Sequence, residues 1–135
     1  MNSIRIDFQS DPRWLCFVRG MVREVASAFG LSRKGIQNVT LAVDEACTNI
    51  MRHGYNGQLN QSISLECKIK KGLLEILLKD KGKAIDLKKM KSRSLEQVRP
   101  GGLGLFFIQQ MMDEVIFKRS NGMNILRMVK YGKKK

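Results

Sequence analysis

Leu41-Ala42-Val43-Asp44-Glu45-Ala46-Cys47-Thr48-Asn49-Ile50-Met51-Arg52-His53 reads as a helix that carries Glu45, Asn49 and His53 at successive spacings of four. On a helix this spacing stacks the three polar groups along one flank. With about 100° of rotation per residue, Val39, Val43, Ala46 and Ile50 form a tight apolar stripe that faces a core. Asn49 lies roughly a quarter-turn from the centre of that stripe, with Glu45 further round. Such border positions suit groups that look into a cleft. A carboxylate one turn before a carboxamide offers a general base and a neutral oxygen ligand for a hard cation such as Mg²⁺. A merely solvated helix flank carries the same pattern, so the helix alone does not decide.

Two later segments bear on the choice. Leu73-Leu74-Glu75-Ile76-Leu77-Leu78-Lys79 reads as a strongly apolar strand and runs into Asp80-Lys81-Gly82-Lys83-Ala84-Ile85-Asp86. An acidic residue at the end of a buried strand, followed by glycine, sets a carboxylate at a pocket rim, although Asp-x-Gly is also an ordinary turn. Gly101-Gly102-Leu103-Gly104-Leu105-Phe106-Phe107-Ile108 then opens a third helix. Glycines admit close approach of backbone N–H groups to an anion, and a helix N-terminus adds partial positive charge. A flexible hinge would have the same composition. The lysine-hydroxyl pattern of a P-loop is absent, and the glycines do not follow an early strand as in a dinucleotide fold.

In this order the three segments resemble the GHKL ATPase superfamily with its Bergerat-type nucleotide fold. The resemblance is closest to bacterial anti-sigma regulatory factors with serine protein kinase activity, the RsbW/SpoIIAB type. The N box of that family is similar to the run from Asp44 to His53. Its G1 box resembles the run from Asp80 to Asp86, and its G2 box resembles the run from Gly101 to Ile108, continuing through Met112-Asp113-Glu114-Val115. The resemblance spans essentially the whole chain.

It implies ATP and Mg²⁺ as cofactors, with Asn49 as the Mg²⁺-binding asparagine. Glu45 is similar to the acidic residue that activates the attacking hydroxyl, a serine of a partner protein. Asp80 resembles the aspartate that accepts from the adenine amino group, with Gly82 giving the base room. Gly101, Gly102 and Gly104, with Leu103 and Leu105 between and after them, correspond to the phosphate-binding segment. Two positions depart from the family pattern. Ala84 stands where a second glycine is usual, and Asn124 stands near the position of a threonine beside the adenine, whose hydroxyl its amide can replace. The implied partners are a sigma factor and an anti-anti-sigma protein of the STAS type, and the implied assembly is a homodimer.

Composition bounds the alternatives. The 135 residues make one domain, long enough to bury a core. The longest apolar runs, such as 103–108, are too short to span a bilayer, and no signal-peptide pattern opens the chain. The expectation is a soluble, cytoplasmic protein. Cys16, Cys47 and Cys67 are widely spaced in apolar surroundings and are expected as reduced core thiols. His53 is the only histidine, which argues against a histidine-based zinc site. The net charge of +13 suits an acidic protein surface, the anionic nucleotide or a nucleic acid, and equally a solvated surface with a basic tail at 131–135. Little aromatic interleaving accompanies it, which places nucleic acid last. Beside the kinase stands a second class of function, a non-catalytic module that switches partners with nucleotide.

The expected architecture is a two-layer α/β sandwich with a mixed, mostly antiparallel sheet and three helices on one face. Residues 3–8 alternate as a strand, with Ile4, Ile6 and Phe8 on one side. Asp11-Pro12 begins a helix over 12–29 that ends at Gly30. Ser32 caps the helix bearing Glu45 and Asn49, which stops near Gly54. Residues 62–70 and 73–79 pair as a hairpin around Lys71-Gly72. Residues 103–112 form the third helix, in which Phe106-Phe107 and Met111-Met112 are expected to build core. Residues 115–119 and 125–130 form a last hairpin around Asn121-Gly122. The charged stretch 85–100 has a length that in a compact domain marks a functional or disordered loop. The resemblance implies a flexible ATP lid there, with Lys88, Lys89, Lys91, Arg93 and Arg99 placed to neutralise phosphate, although ordinary solvation would equally explain these charges.

Overall fold

A computed structural model describes residues 2–84 and 104–132 of the chain. The expected lid, with its basic residues, and Gly101, Gly102 and Leu103 lie outside the described residues, as does the end of the tail. The elements run β1 (Asn2–Gln9), a 3₁₀ turn (Pro12–Trp14), α1 (Leu15–Phe29), α2 (Arg33–Asn49), a π turn (Ile50–Gly54), β2 (Ser62–Lys70), β3 (Leu73–Asp80), α3 (Gly104–Met111), β4 (Glu114–Ser120) and β5 (Met123–Tyr131).

Local chemistry accounts for the ends of these elements. Asp11 accepts from the backbone N–H of Arg13 at 3.0 Å and Pro12 opens the turn, which passes as 3₁₀ into α1. Gly30 closes α1 in the left-handed conformation at φ 98°. Ser32 Oγ accepts from Gly35 N at 3.1 Å and starts α2. Asn121 and Gly122 take φ of 52° and 76°, the two positive values that a tight two-residue hairpin needs.

The sheet has the order β1-β2-β3-β5-β4, and every neighbouring pair is antiparallel, so no parallel pair occurs among the described residues. Register puts Ile63, Leu65 and Cys67 of β2 opposite Asp80, Leu78 and Ile76 of β3. Leu78 and Ile76 in turn face Leu126 and Met128 of β5. These residues share one face and are buried against Val18, Val22 and Ala26 of α1, Val39, Val43 and Ala46 of α2, and Ile108 and Met112 beside α3. Truncating a core member such as Ile76 to alanine costs about 2–5 kcal/mol. All four members of the predicted stripe on α2 are buried.

Ile4, at one end of the edge strand β1, is exposed, whereas Ile6 and Phe8 are half-buried against the core. Two local expectations are corrected. Phe106 is also exposed: Leu105, Ile108 and Met112 already fill the inward face of α3 and its end, leaving Phe106 on the outer side. Cys16 lies on the surface, whereas Cys47 and Cys67 are buried. Burial pushes the Cys67 thiol up to about 12. No helix of the described residues is long and apolar enough to cross a membrane.

Candidate functional site

The sequence places Asp80 at the end of an apolar strand, and the register explains what it meets there. Asp80 pairs directly with Asn124 of β5, and Asn124 pairs with Arg119 of β4. Side chains at paired positions share a face, so carboxylate, carboxamide and guanidinium form one row at one end of the core side of the sheet. Asp80 Oδ1 accepts from Asn124 Nδ2 at 2.9 Å and from the backbone N–H of Gly82 at 2.8 Å. Asn124 Nδ2 also donates to the carbonyl of Gly82 at 3.0 Å. Arg119 Nη1 donates to Asn124 Oδ1 at 2.7 Å and to Gly82 O at 3.1 Å.

Asn124 turns its amide nitrogen to Asp80 and the Gly82 carbonyl. Arg119 is the member of this row that the sequence reading missed. Its signal was its register position opposite Asn124, which becomes visible only once the last hairpin is aligned on its Asn-Gly turn.

The π turn brings the end of α2 to this row. Tyr55 N donates to Ile50 O at 2.8 Å, a wider closure than the α-helical one. This widening delivers Gly54 to the loop after β3, where Gly54 O accepts from Lys83 N at 2.7 Å. A Cβ at Gly82 would lie 2.6 Å from Gly54 O, so glycine is required there by backbone packing. Tyr55 adds a second tie: its hydroxyl donates to Ser62 O at 2.6 Å and accepts from Lys81 N at 2.8 Å. Burial raises the Tyr55 pKa, keeping the phenol protonated for that donation. Ala84, just beyond, is exposed.

Along α2 the three-residue polar stack becomes a pair. Asn49 is 7% exposed, Glu45 is half-buried, and His53, on the π turn, is exposed. The Asn49 Oδ1 atom is buried without a hydrogen-bond partner among the described residues. A buried, unpaired acceptor costs about 1–3 kcal/mol, which a bound donor or cation removes. Of the two adjacent acids, Asp44 is paired with Arg19 Nη1 at 2.7 Å. Glu45 forms no salt bridge among the described residues. Nor do the described residues hold a cluster of three or more His, Cys, Asp or Glu able to cage a metal. The neutral oxygen of Asn49 has the chemistry of a ligand for a hard cation. Gly104 is the first residue of α3, and Leu105 behind it is buried.

A helix flank carrying a half-buried acid and an orphaned amide oxygen thus meets, through a π turn, a strand-end carboxylate held by glycine. The family profile of the histidine kinase-like ATPase domain matches residues 8–130, which carry this combination. The chain belongs to this family. Serine-protein kinase RsbW of Bacillus velezensis is 29% identical over 139 residues, covering 97% of this chain and 86% of that protein. Serine-protein kinase RsbW of Oceanobacillus iheyensis is 32% identical over 136 residues, covering 95% of this chain and 85% of that protein. Among solved structures, the RsbU and RsbW domains of Rv1364c from Mycobacterium tuberculosis superpose with a TM-score of 0.71 at 16% identity. The match covers 97% of this chain and 32% of that longer one. The histidine kinase domain of a blue-light activated histidine kinase from Erythrobacter litoralis EL346 gives a TM-score of 0.58 at 14% identity, over 89% of this chain and 60% of that one. These two structures share the fold.

Proposed function

We propose that this protein is an ATP-dependent serine protein kinase that also acts as an anti-sigma factor, the whole chain working as one nucleotide-binding domain in the cytoplasm. The observation that carries the reading is the buried, unpaired Oδ1 of Asn49 one helical turn after Glu45. In this reading Asp80 accepts from the adenine amino group and Gly82 shapes the loop beneath the base. Gly101, Gly102 and Gly104, with Leu103 and Leu105, bring backbone N–H groups to the phosphates, and Ala84 and Asn124 border the pocket. Asn49 Oδ1 holds Mg²⁺, which neutralises charge on the phosphates when bound.

Glu45 acts as general base. It takes the proton of a partner's serine hydroxyl as that oxygen bonds to the γ-phosphorus. The bond between that phosphorus and the leaving oxygen breaks, and ADP departs with the electron pair. Such transfer asks mainly for positioning and charge stabilisation. The acceptor is an anti-anti-sigma protein of the STAS type, the sequestered partner is a sigma factor, and the functional unit is a homodimer. The serine-protein kinases RsbW that match most of the chain support the kinase reading, and the partners follow from the resemblance of the three motifs. The net charge of +13 suits both phosphate and an acidic partner surface.

A second reading keeps nucleotide binding and partner switching without transfer. The test is incubation with γ-labelled ATP, Mg²⁺ and candidate STAS-type proteins from the same source, with sigma-factor capture measured in parallel. Label on a serine of the partner supports the kinase. Capture that responds to ATP without any label supports the switching module.

A further inference from the structure

Asparagine is ambiguous in a hydrogen-bond network, because its oxygen and nitrogen can exchange places at little steric cost. In this protein the ambiguity is removed from both ends: Asn124 Nδ2 faces the acceptors Asp80 Oδ1, Gly82 O and Lys83 O, and Oδ1 faces Arg119. A guanidinium only donates, so the atom of Asn124 that meets Arg119 Nη1 at 2.7 Å must be the amide oxygen. The amide nitrogen is then forced toward Asp80, where it donates at 2.9 Å. The same Arg119 nitrogen holds Gly82 O at 3.1 Å, and the N–H of Gly82 is the other donor to Asp80 Oδ1. Both hydrogen bonds that Asp80 accepts among the described residues therefore end on one oxygen, and both trace back to Arg119. With Oδ1 anchored twice, the carboxylate plane is fixed and Oδ2 is aimed by the same anchors. Asn124 is 2% exposed and Asp80 is 6% exposed, so water competes little for this relay. Arg119 itself is exposed at the surface end of the row.

We propose that Arg119 is a positioning residue for base recognition: acting through Asn124 and Gly82, it orients the Asp80 carboxylate toward the exocyclic amino group of the purine. This rests on the reading of Asp80 as the carboxylate that accepts from the base. If Arg119 is removed, Asn124 Oδ1 and Gly82 O lose the donor they share. Nδ2 still faces its acceptors, so the amide keeps its orientation, but the amide and the Gly82 loop lose their common anchor and the carboxylate they hold shifts from its productive setting.

The experiment compares two nucleotides by calorimetry in Mg²⁺: ATP, and purine riboside 5′-triphosphate, which lacks the amino group. The proteins are wild type, Arg119→Met, Arg119→Lys and Asp80→Ala, each checked for a cooperative thermal melt. Arg119→Met is expected to weaken ATP on the order of tenfold, the scale of one hydrogen bond to a charged group. Purine riboside triphosphate should stay within about twofold of wild type, the scatter of independent effects. Arg119→Lys, which supplies one donor in place of a fork, should recover part of the loss. Equal weakening of both nucleotides, or undiminished ATP binding, overturns the proposal. If Asp80→Ala also leaves the advantage of ATP over purine riboside triphosphate intact, the base-reading role of Asp80 itself falls. If Asp80→Ala abolishes that advantage while Arg119→Met keeps it, only the relay is wrong.

Discussion

Asn124 Nδ2 stands 2.9 Å from Asp80 Oδ1, across directly paired positions of β3 and β5. A buried carboxylate so held is an acceptor with one oxygen already committed. Asp80→Asn keeps an oxygen for Asn124 and Gly82 but presents an NH₂ where the base offers its own. The substituted protein should fold and bind ATP at least about tenfold more weakly, by calorimetry. Unchanged affinity would remove Asp80 from the base.

Glu45→Gln should separate transfer from binding. It preserves shape and loses only the proton acceptor, so phosphorylation of the partner should slow by about 10²–10⁴-fold. ATP affinity and sigma-factor capture should hold. A wild-type rate of label incorporation would show that Glu45 is not the base.

Gly82→Ala tests the contact between the π turn and the loop after β3. The new methyl would meet backbone at 2.6 Å, and backbone cannot swing aside as a flexible side chain does. Overpacking of this kind costs about 1–3 kcal/mol. Denaturant unfolding should show a lower midpoint, and exchange of the Lys83 amide, which donates to Gly54 O, should quicken. A midpoint equal to wild type would mean the two segments part freely.

On the opposite side of the sheet, Glu75 is buried between Arg127 Nε at 2.6 Å and Lys70 Nζ at 3.3 Å. Burial works against its charge, but the bonds from Arg127 and Lys70 outweigh it and lower its pKa below the ordinary 4.5. A lowered folded pKa contributes stability above the unfolded value and loses it as pH falls through the folded one. Glu75→Gln should therefore cost about 1–3 kcal/mol at pH 7. The gap should narrow as pH drops below 4.5. A difference that is constant with pH would deny the ion pair its role.

The local half of this architecture was legible in the sequence because it rests on local chemistry. The α2 stripe, the Ser32 cap, the Gly30 stop and the Asn121-Gly122 turn each depend on residues within a few positions of one another. The site was legible as types and order, with Glu45 and Asn49 on one flank and Asp80 at a strand end. What stayed hidden depends on residues far apart in sequence. The relay from Arg119 through Asn124 to Asp80 needs the sheet order, which no residue announces. The π turn that leaves His53 exposed exists because Gly54 must reach Gly82, a contact 28 positions distant in numbering. Phe106 and Cys16 misled for the same reason, since apolar character states a preference and other residues filled the core.

The central claim is that the orphaned oxygen of Asn49 belongs to a Mg²⁺–nucleotide site, and one titration addresses it most directly. ATP is titrated into wild type and Asn49→Ala, each with Mg²⁺ and with a chelator. Removing a buried, unpaired oxygen offsets part of the lost packing, so the variant should melt close to wild type. Wild type should bind ATP more tightly with Mg²⁺ than without, and Asn49→Ala should lose that enhancement. A wild type that binds no nucleotide, or a variant that keeps the full Mg²⁺ enhancement, would contradict the account.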